Sequence, residues 1–234
     1  MTPIRIGHLY GNLLNTYGDN GNLLMLQYGL KKRGLDFTVE VNSLEESFKA
    51  NQYDLIFFGG GQDFEQKVVS DHIQTKKDEL EKYIESNGVL LAICGGYQLL
   101  GEYYLSAKGD RIEGTHLLNL YTLNQVNSRF VGDVEIFSDE FNETYYGYEN
   151  HNGRTFIKDP VKPLGRVIKG YGNNNEDKTE GARYKNVFCS YFHGPLLVRN
   201  PHLVDRIIDK VLEQRNQSTE QGTKLKQIID PTSV

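Results

Sequence analysis

The chain has 234 residues, 38% of them hydrophobic and 24% charged, with a formal net charge of -5 at neutral pH. That length supports a full core in one α/β domain. The lack of any long apolar run argues against a transmembrane segment, and the acidic balance argues against a nucleic-acid-binding surface.

MTPIRIGHLYGNLL at the start lacks the basic, apolar, small-residue order of a secretory signal, so a cytoplasmic location is expected. IRIGHLY (4–10) alternates as a strand, the Gly/Asn/Asp-rich GNLLNTYGDNGN breaks it, and LLMLQYGLKKRG follows with helical spacing and a basic, Gly34-terminated end. Asp19 in that loop reads as the helix's amino-end cap. DFTVEV (36–41) is a second strand and DLIFFGGG (54–61) a third that ends in three glycines. KKDELEKYIESNG (76–88) is an amphipathic helix stopped at Asn87-Gly88, and VLLAI (89–93) is a fully apolar fourth strand. Strands of this kind alternating with helices predict a mostly parallel sheet covered on both faces.

Residues 129–156 read as shorter antiparallel strands with polar turns, VFCSYFHGP (187–195) as one late strand broken at Gly194-Pro195, and PHLVDRIIDKVLEQR as a helix with Pro201 in its first turn. The expected division is one domain over 1–216 and a polar tail over 217–234.

Functional groups of open parallel sheets collect beyond the carboxyl ends of the strands. Three features fall there: Gly59-Gly60-Gly61, Cys94 in LLAICGGYQLL, and His193. A strand entering a helix through Cys-Gly-Gly places the thiol on a sharp turn, with the Gly95 amide facing whatever the sulfur attacks. Taken alone, Cys94 equally suits a buried small hydrophobe, His193 a hydrogen-bonded strand-end residue and the glycines a tight turn. Together they supply thiol, imidazole and backbone amides, the parts of thioester-forming acyl transfer. Cys94 and Cys189 are the two cysteines and are expected to be reduced, and the six histidines lack HxxxH or HExxH spacing, so no metal site is expected.

AICGGYQ beside FFGGG, a late FHGP and YGYENHNGRT resembles the class I glutamine amidotransferases, in the cobyric-acid-synthase-like branch, over residues 4 to about 200. The resemblance implies a three-layer, flavodoxin-like α/β fold. It implies Cys94 as nucleophile, His193 as general base, Arg129 (in NSRFVGD) and Gln98 as glutamine-binding residues, and the Gly60 and Gly95 amides as the oxyanion hole; Glu149 and His151 receive no role. Many class I members carry a glutamate two residues after the histidine, where this chain has Pro195, so a dyad with an unassigned orienting group is expected.

Within the branch, YGDNGN, RFVGD, ENHNGRT, YGNNNEDK and YFHGP are similar to glutaminase subunits that serve a Mur-ligase-like synthetase amidating the D-glutamate α-carboxyl of the lipid II stem peptide. The implied arrangement is a heterodimer, with no cofactor in this chain and with ATP and Mg on the partner; no GxxxxGK[ST] loop occurs here. The alternatives are a glutaminase for another synthetase, such as one in cobalamin synthesis, a stand-alone thiol hydrolase, and a catalytically silent binding module.

Overall fold

The computed structural model describes residues 2–15, 18–44, 47–106, 108–124 and 129–229, with side chains to residue 217. The first half alternates strand and helix: β1 (Ile4–Leu9), α1 (Asn20–Lys32), β2 (Phe37–Asn42), β3 (Leu55–Phe58), α2 (Asp63–Ile73), α3 (Lys77–Glu85), β4 (Val89–Ile93) and α4 (Gly95–Leu100). A run of strands follows: β5 (Tyr103–Leu105), β6 (Arg111–Glu113), β7 (Leu120–Asn124), β8 (Phe130–Ser138), β9 (Glu143–His151), β10 (Gly153–Ile157), β11 (Gly165–Lys169), β12 (Thr179–Glu180) and β13 (Ala182–Tyr184). The chain closes with β14 (Val187–Ser190), β15 (Phe192–His193), α5 (Leu196–Arg199) and α6 (Pro201–Ile229).

The central sheet has the order β13-β14-β4-β3-β1-β2, parallel throughout except for the antiparallel β13–β14 pair. Its inner strands are buried on both faces, and their alternating side chains feed two cores. Leu55, Phe57, Val89, Leu91 and Ile93 meet Leu23, Leu26 and Leu30 of α1 and Leu203, Val204, Ile207, Ile208 and Val211 of α6. Ile56, Phe58, Leu90 and Ala92 face the other way, toward Val69 and Ile73 of α2, Leu80 and Ile84 of α3 and Leu99 of α4. This is the three-layer arrangement expected from the sequence. Burying each large side chain contributes about 1.5–3 kcal/mol, so the spacing of these residues dictates which face each helix covers.

Local rules account for the predicted helix ends. Asn87 adopts φ 64, while Gly88 N–H donates to Tyr83 O at 2.8 Å, a left-handed stop for α3. The helix α2 was not expected: its inner face carries buried Gln66 and Ser70 alongside Val69 and Ile73, so the apolar period is diluted. In α6 the backbone runs past Arg215 to Ile229, further than the predicted helix, and residues 230–234 of the expected tail lie outside the described residues.

The middle strands form two further sheets, β10-β7-β5-β6 and β12-β11-β8-β9-β15. β8 and β9 are longer than expected and pair antiparallel from Phe130↔His151 to Ser138↔Glu143. The single late strand read from VFCSYFHGP is in fact two. β14 lies parallel to β4 in the central sheet; after Tyr191 the chain leaves it, and β15 pairs antiparallel with β9, His193 opposite Tyr148. That transfer between sheets carries His193 over the end of β4.

Candidate active site

Cys94 stands between the last residue of β4 and the first of α4 with φ 48 and ψ -104, a region that costs a non-glycine residue roughly 1–3 kcal/mol. Three backbone hydrogen bonds hold it there: Cys94 N–H to Ser190 O at 2.9 Å, Gly96 N–H to Gly59 O at 3.1 Å and Gln98 N–H to Cys94 O at 3.0 Å. A Cβ on Gly96 would lie 2.6 Å from Phe58 O, so glycine lets α4 start hard against the end of β3. The other cysteine is fully buried on β14 opposite Ala92, and burial pushes its thiol well above the ordinary range. Only the thiol of Cys94 reaches the cleft.

His193 lies behind that thiol and is 3% exposed. Burial pulls its imidazole down, but the carboxylate of Asp19 and the thiol of Cys94 outweigh burial and raise it to about 10, favouring the protonated ring. The crossing that delivers His193 is fixed by Glu180, whose Oε1 accepts from the Tyr191 N–H at 2.7 Å and the Ser190 hydroxyl at 3.1 Å.

Asp19 is placed differently from the sequence expectation. It occupies the residue before α1, but its side chain makes no capping hydrogen bond. Its carboxylate is 1% exposed; Oδ1 lies 3.6 Å from His193 Nδ1 and Oδ2 accepts the Gly60 N–H at 2.7 Å. The second contact also revises the expected oxyanion hole. Because the Gly60 amide is turned toward Asp19, it is not aimed at the thiol. What Gly60 provides is room: a Cβ there would lie 3.0 Å from Cys94 Cβ and 3.1 Å from Asp19 Oδ2. The neighbouring Gly61 lines the cleft, and its amide nitrogen is 3.0 Å from the position a Cβ on Gly95 would take, so the glycine loop packs against the residue that follows Cys94.

The cleft has a volume of about 460 Å³, ample for an amino acid, and brings Cys94, Gln98, Arg129 and His151 together. Arg129 is braced at its rim by Asn150, donating from Nη2 to the Asn150 carbonyl at 3.0 Å and from Nε to its side-chain oxygen. Gln98 is buried rather than solvated. Its Oε1 accepts from Gln66 at 2.7 Å and its Nε2 donates to the Tyr191 hydroxyl at 3.0 Å, so its amide is committed to the wall of the cleft. His151 stacks on Tyr191 with ring centroids 3.8 Å apart and bonds Gly153 O through Nδ1 at 2.8 Å; burial lowers its pKa to about 3, so the ring is neutral. Glu149 accepts the Tyr171 and Gly172 amides at 2.8 and 2.9 Å and serves the turn after β11. No group of three His, Cys, Asp or Glu side chains among the described residues is placed to hold a metal ion.

Residues 5–201 match the CobB/CobQ-like glutamine amidotransferase domain. The chain belongs to this family. It is 56% identical over 212 residues to the GatD subunit of the glutamine-hydrolysing lipid II isoglutaminyl synthase of Streptococcus pneumoniae, covering 91% of this chain and 82% of that protein. The corresponding Staphylococcus aureus subunit is 39% identical over 92% of this chain and 87% of its own length. A probable cobyric acid synthase of Methanothermobacter thermautotrophicus is 39% identical over 45% of this chain, but only 23% of that protein is covered. Among solved structures, a chain of PurLQS from Thermotoga maritima superposes with a TM-score of 0.62 at 18% identity, over 91% of this chain and 99% of its own. That likeness concerns the amidotransferase fold.

Burial, reinforced by the charge of Glu149, raises the carboxyl of Glu180 to about 8 against two hydrogen bonds that lower it. The folded family member therefore keeps a proton that the unfolded chain releases above about 4.5, and stability falls as pH rises from about 4.5 to about 8. Glu180→Gln should gain melting temperature relative to the parent between pH 5 and pH 9, by roughly 2–8 °C for a ~1–2 kcal/mol effect in a chain of this size. A difference that stays flat across that range in thermal melts contradicts an uncharged Glu180.

Proposed function

We propose that this chain is the glutamine-hydrolysing subunit of a lipid II isoglutaminyl synthase, working as a heterodimer with a Mur-ligase-like (MurT-like) synthetase. The observation that carries the reading is the backbone-strained Cys94 set between His193 and a cleft rimmed by Arg129. The 56% identity to the pneumococcal GatD subunit supports the choice of acceptor.

Glutamine enters with its α-carboxylate on the Arg129 guanidinium and its side-chain amide at Cys94. The thiolate attacks the amide carbon, and the oxyanion that forms is held by the Gly61 and Gly95 amides. His193 gives its proton to the departing nitrogen, the C–N bond breaks and ammonia leaves behind a γ-glutamyl thioester. Water then loses a proton to His193 and attacks the thioester, so that glutamate departs and the thiolate is restored. Each turn consumes one glutamine and one water and yields glutamate and ammonia.

Ammonia is protonated in neutral water and is then no nucleophile, so a sheltered handover to an acceptor is required. The sequence contains no GxxxxGK[ST] phosphate loop. ATP and Mg therefore belong to the partner, which activates the D-glutamate α-carboxyl of the lipid II stem peptide for conversion to D-isoglutamine. Among the described residues no helix is long and apolar enough to cross a membrane. Contact with lipid II comes through the partner, on the cytoplasmic side.

Cys94→Ala should abolish glutamate release from glutamine, whereas Cys189→Ala, a change inside the core, should keep most of it at a cost of about 1 kcal/mol in stability. Activity surviving in the first variant, or lost from a well-folded second one, identifies the wrong thiol.

For Arg129→Ala, the KM for glutamine should rise on the order of tenfold or more with a smaller change in kcat, because a carboxylate ion pair exists in ground and transition states alike. Unchanged steady-state kinetics remove Arg129 from the site. Amidation of lipid II should need both subunits with glutamine and ATP; amidation by this chain alone, or by the ligase with no glutamine dependence on adding this chain, defeats the assignment.

A further inference from the structure

We infer that Asp19 is the third member of the catalytic set, a positioning residue whose two carboxylate oxygens divide two tasks between His193 and the glycine loop. The dyad expected from the sequence thus becomes a triad whose acid comes from the β1–α1 loop.

Geometry carries the assignment. Oδ1 faces His193 Nδ1 at 3.6 Å, an ion-pair separation somewhat beyond a hydrogen bond, and catalytic hydrogen bonds often shorten when substrate binds. With Nδ1 turned to Asp19, the ring presents Nε2 to the thiol. Oδ2 takes the Gly60 N–H at 2.7 Å, which fixes the carboxylate and at the same time orients the Gly59–Gly60 peptide. One side chain therefore touches both the imidazole and the glycine loop that lines the cleft beside Cys94.

The surrounding chain is built to hold it. A Cβ on Gly21 would overlap the ring of Pro195, so the start of α1 packs directly on the turn that follows His193. Asn22 Oδ1 accepts the Leu197 N–H at 2.9 Å, tying the same helix turn to α5. Asp19, Gly21 and Asn22 thus account for the motif YGDNGN as a clamp on the histidine. The other buried acids are occupied: Glu149 binds the Tyr171 and Gly172 amides, and Glu180 binds Ser190 and Tyr191. Among the titratable groups facing this cluster, His8 interacts with Asp19 but is lowered by burial to about 4, and His151, lowered to about 3, is also neutral. Besides Asp19, the group that interacts with the His193 ring is Cys94. A buried aspartate that selects the tautomer of a catalytic histidine has large kinetic consequences, since its replacement by asparagine keeps the shape and loses the charge.

The test compares Asp19→Asn, Asp19→Ala and Asp19→Glu with the parent, each as the full chain. Asp19→Asn retains an acceptor for Gly60, so kcat should fall by at least ~100-fold while KM for glutamine stays within about threefold. Alkylation of Cys94 by iodoacetamide, followed without glutamine, should have its pH midpoint moved upward by roughly one unit or more in Asp19→Asn, and partly restored in Asp19→Glu. Nitrogen NMR of the parent should show His193 Nδ1 protonated between pH 6 and 8, a result independent of how any variant folds. Asp19→Asn with more than about a third of parental kcat and an unmoved alkylation profile, or a parental His193 with a bare Nδ1, overturns the assignment. The kinetic arm rests on the glutaminase reading; the alkylation and NMR arms do not. A parent that fails to hydrolyse glutamine but shows the shifted profile therefore counts against the proposed substrate and for Asp19.

Discussion

The structure is organised around a single backbone constraint: Cys94 must leave a fully buried parallel strand with φ 48 and enter a helix one residue later. That conformation is unfavourable by itself, and it persists because the neighbouring strands determine it from both sides. Gly59, the residue after β3, supplies its carbonyl to the Gly96 amide, and Ser190, the last residue of β14, supplies its carbonyl to the Cys94 amide. Both partners are ends of strands in register with β4, so the strain at the thiol is offset by the central sheet and not by the cleft. The thiol is thereby exposed at a fixed point before any substrate arrives, which is the preorganisation that acyl transfer requires.

Behind the thiol, the wall of the cleft is a chain of neutral hydrogen bonds. Gln66 donates to Gln98, Gln98 to the Tyr191 hydroxyl, and that hydroxyl pairs with Thr155 Oγ1 at 2.6 Å, which in turn meets Thr122 at 2.7 Å. The neutral ring of His151 lies flat on Tyr191. Such a network holds buried polar groups without net charge beside the ion pair of Asp19 and His193. In a poorly solvated site the effect of each of these charges on its neighbours is larger than in water. The same reasoning explains why Gln98 is better suited to holding Tyr191 and Gln66 than to solvating a ligand.

Much of this was legible in the sequence, and the misses have common physical causes. The strands β1, β3 and β4 and the helices α1, α3 and α6 announce themselves by apolar period and by end signals such as Asn87-Gly88 and Pro201. Cys94 stood out only in combination, because the thiol between an apolar strand and paired glycines falls at the same sheet end as His193 and the run Gly59-Gly60-Gly61. Helix α2 was hidden because its buried face includes Gln66 and Ser70, chosen for contacts to Gln98 and to Glu113 O rather than for hydrophobicity. The break at Tyr191 was hidden because β14 and β15 are both fully buried, and only the pairing partner changes from β4 to β9. Asp19 was misread because an aspartate before a helix is a common cap, and nothing local reveals that its carboxylate turns toward a residue 174 positions later.

That last separation bears on how the site holds together. In a triad the roles are fixed by geometry and not by order along the chain, so an acid from the first loop can serve a histidine near the last strand. The arrangement ties function to long-range packing, because the Asp19 carboxylate is positioned by the seat of α1 on Pro195 and Leu197 and by the Gly60 amide. The β1–α1 turn, the glycine loop after β3 and the turn after β15 converge at one end of the central sheet, each fixed by the other two. A displacement of α1 would then take the Asp19 carboxylate away from the His193 imidazole and from the Gly60 amide together. The strand ends that hold Cys94 and the helix that seats Asp19 are thus far apart in the chain and meet only at this end of the sheet.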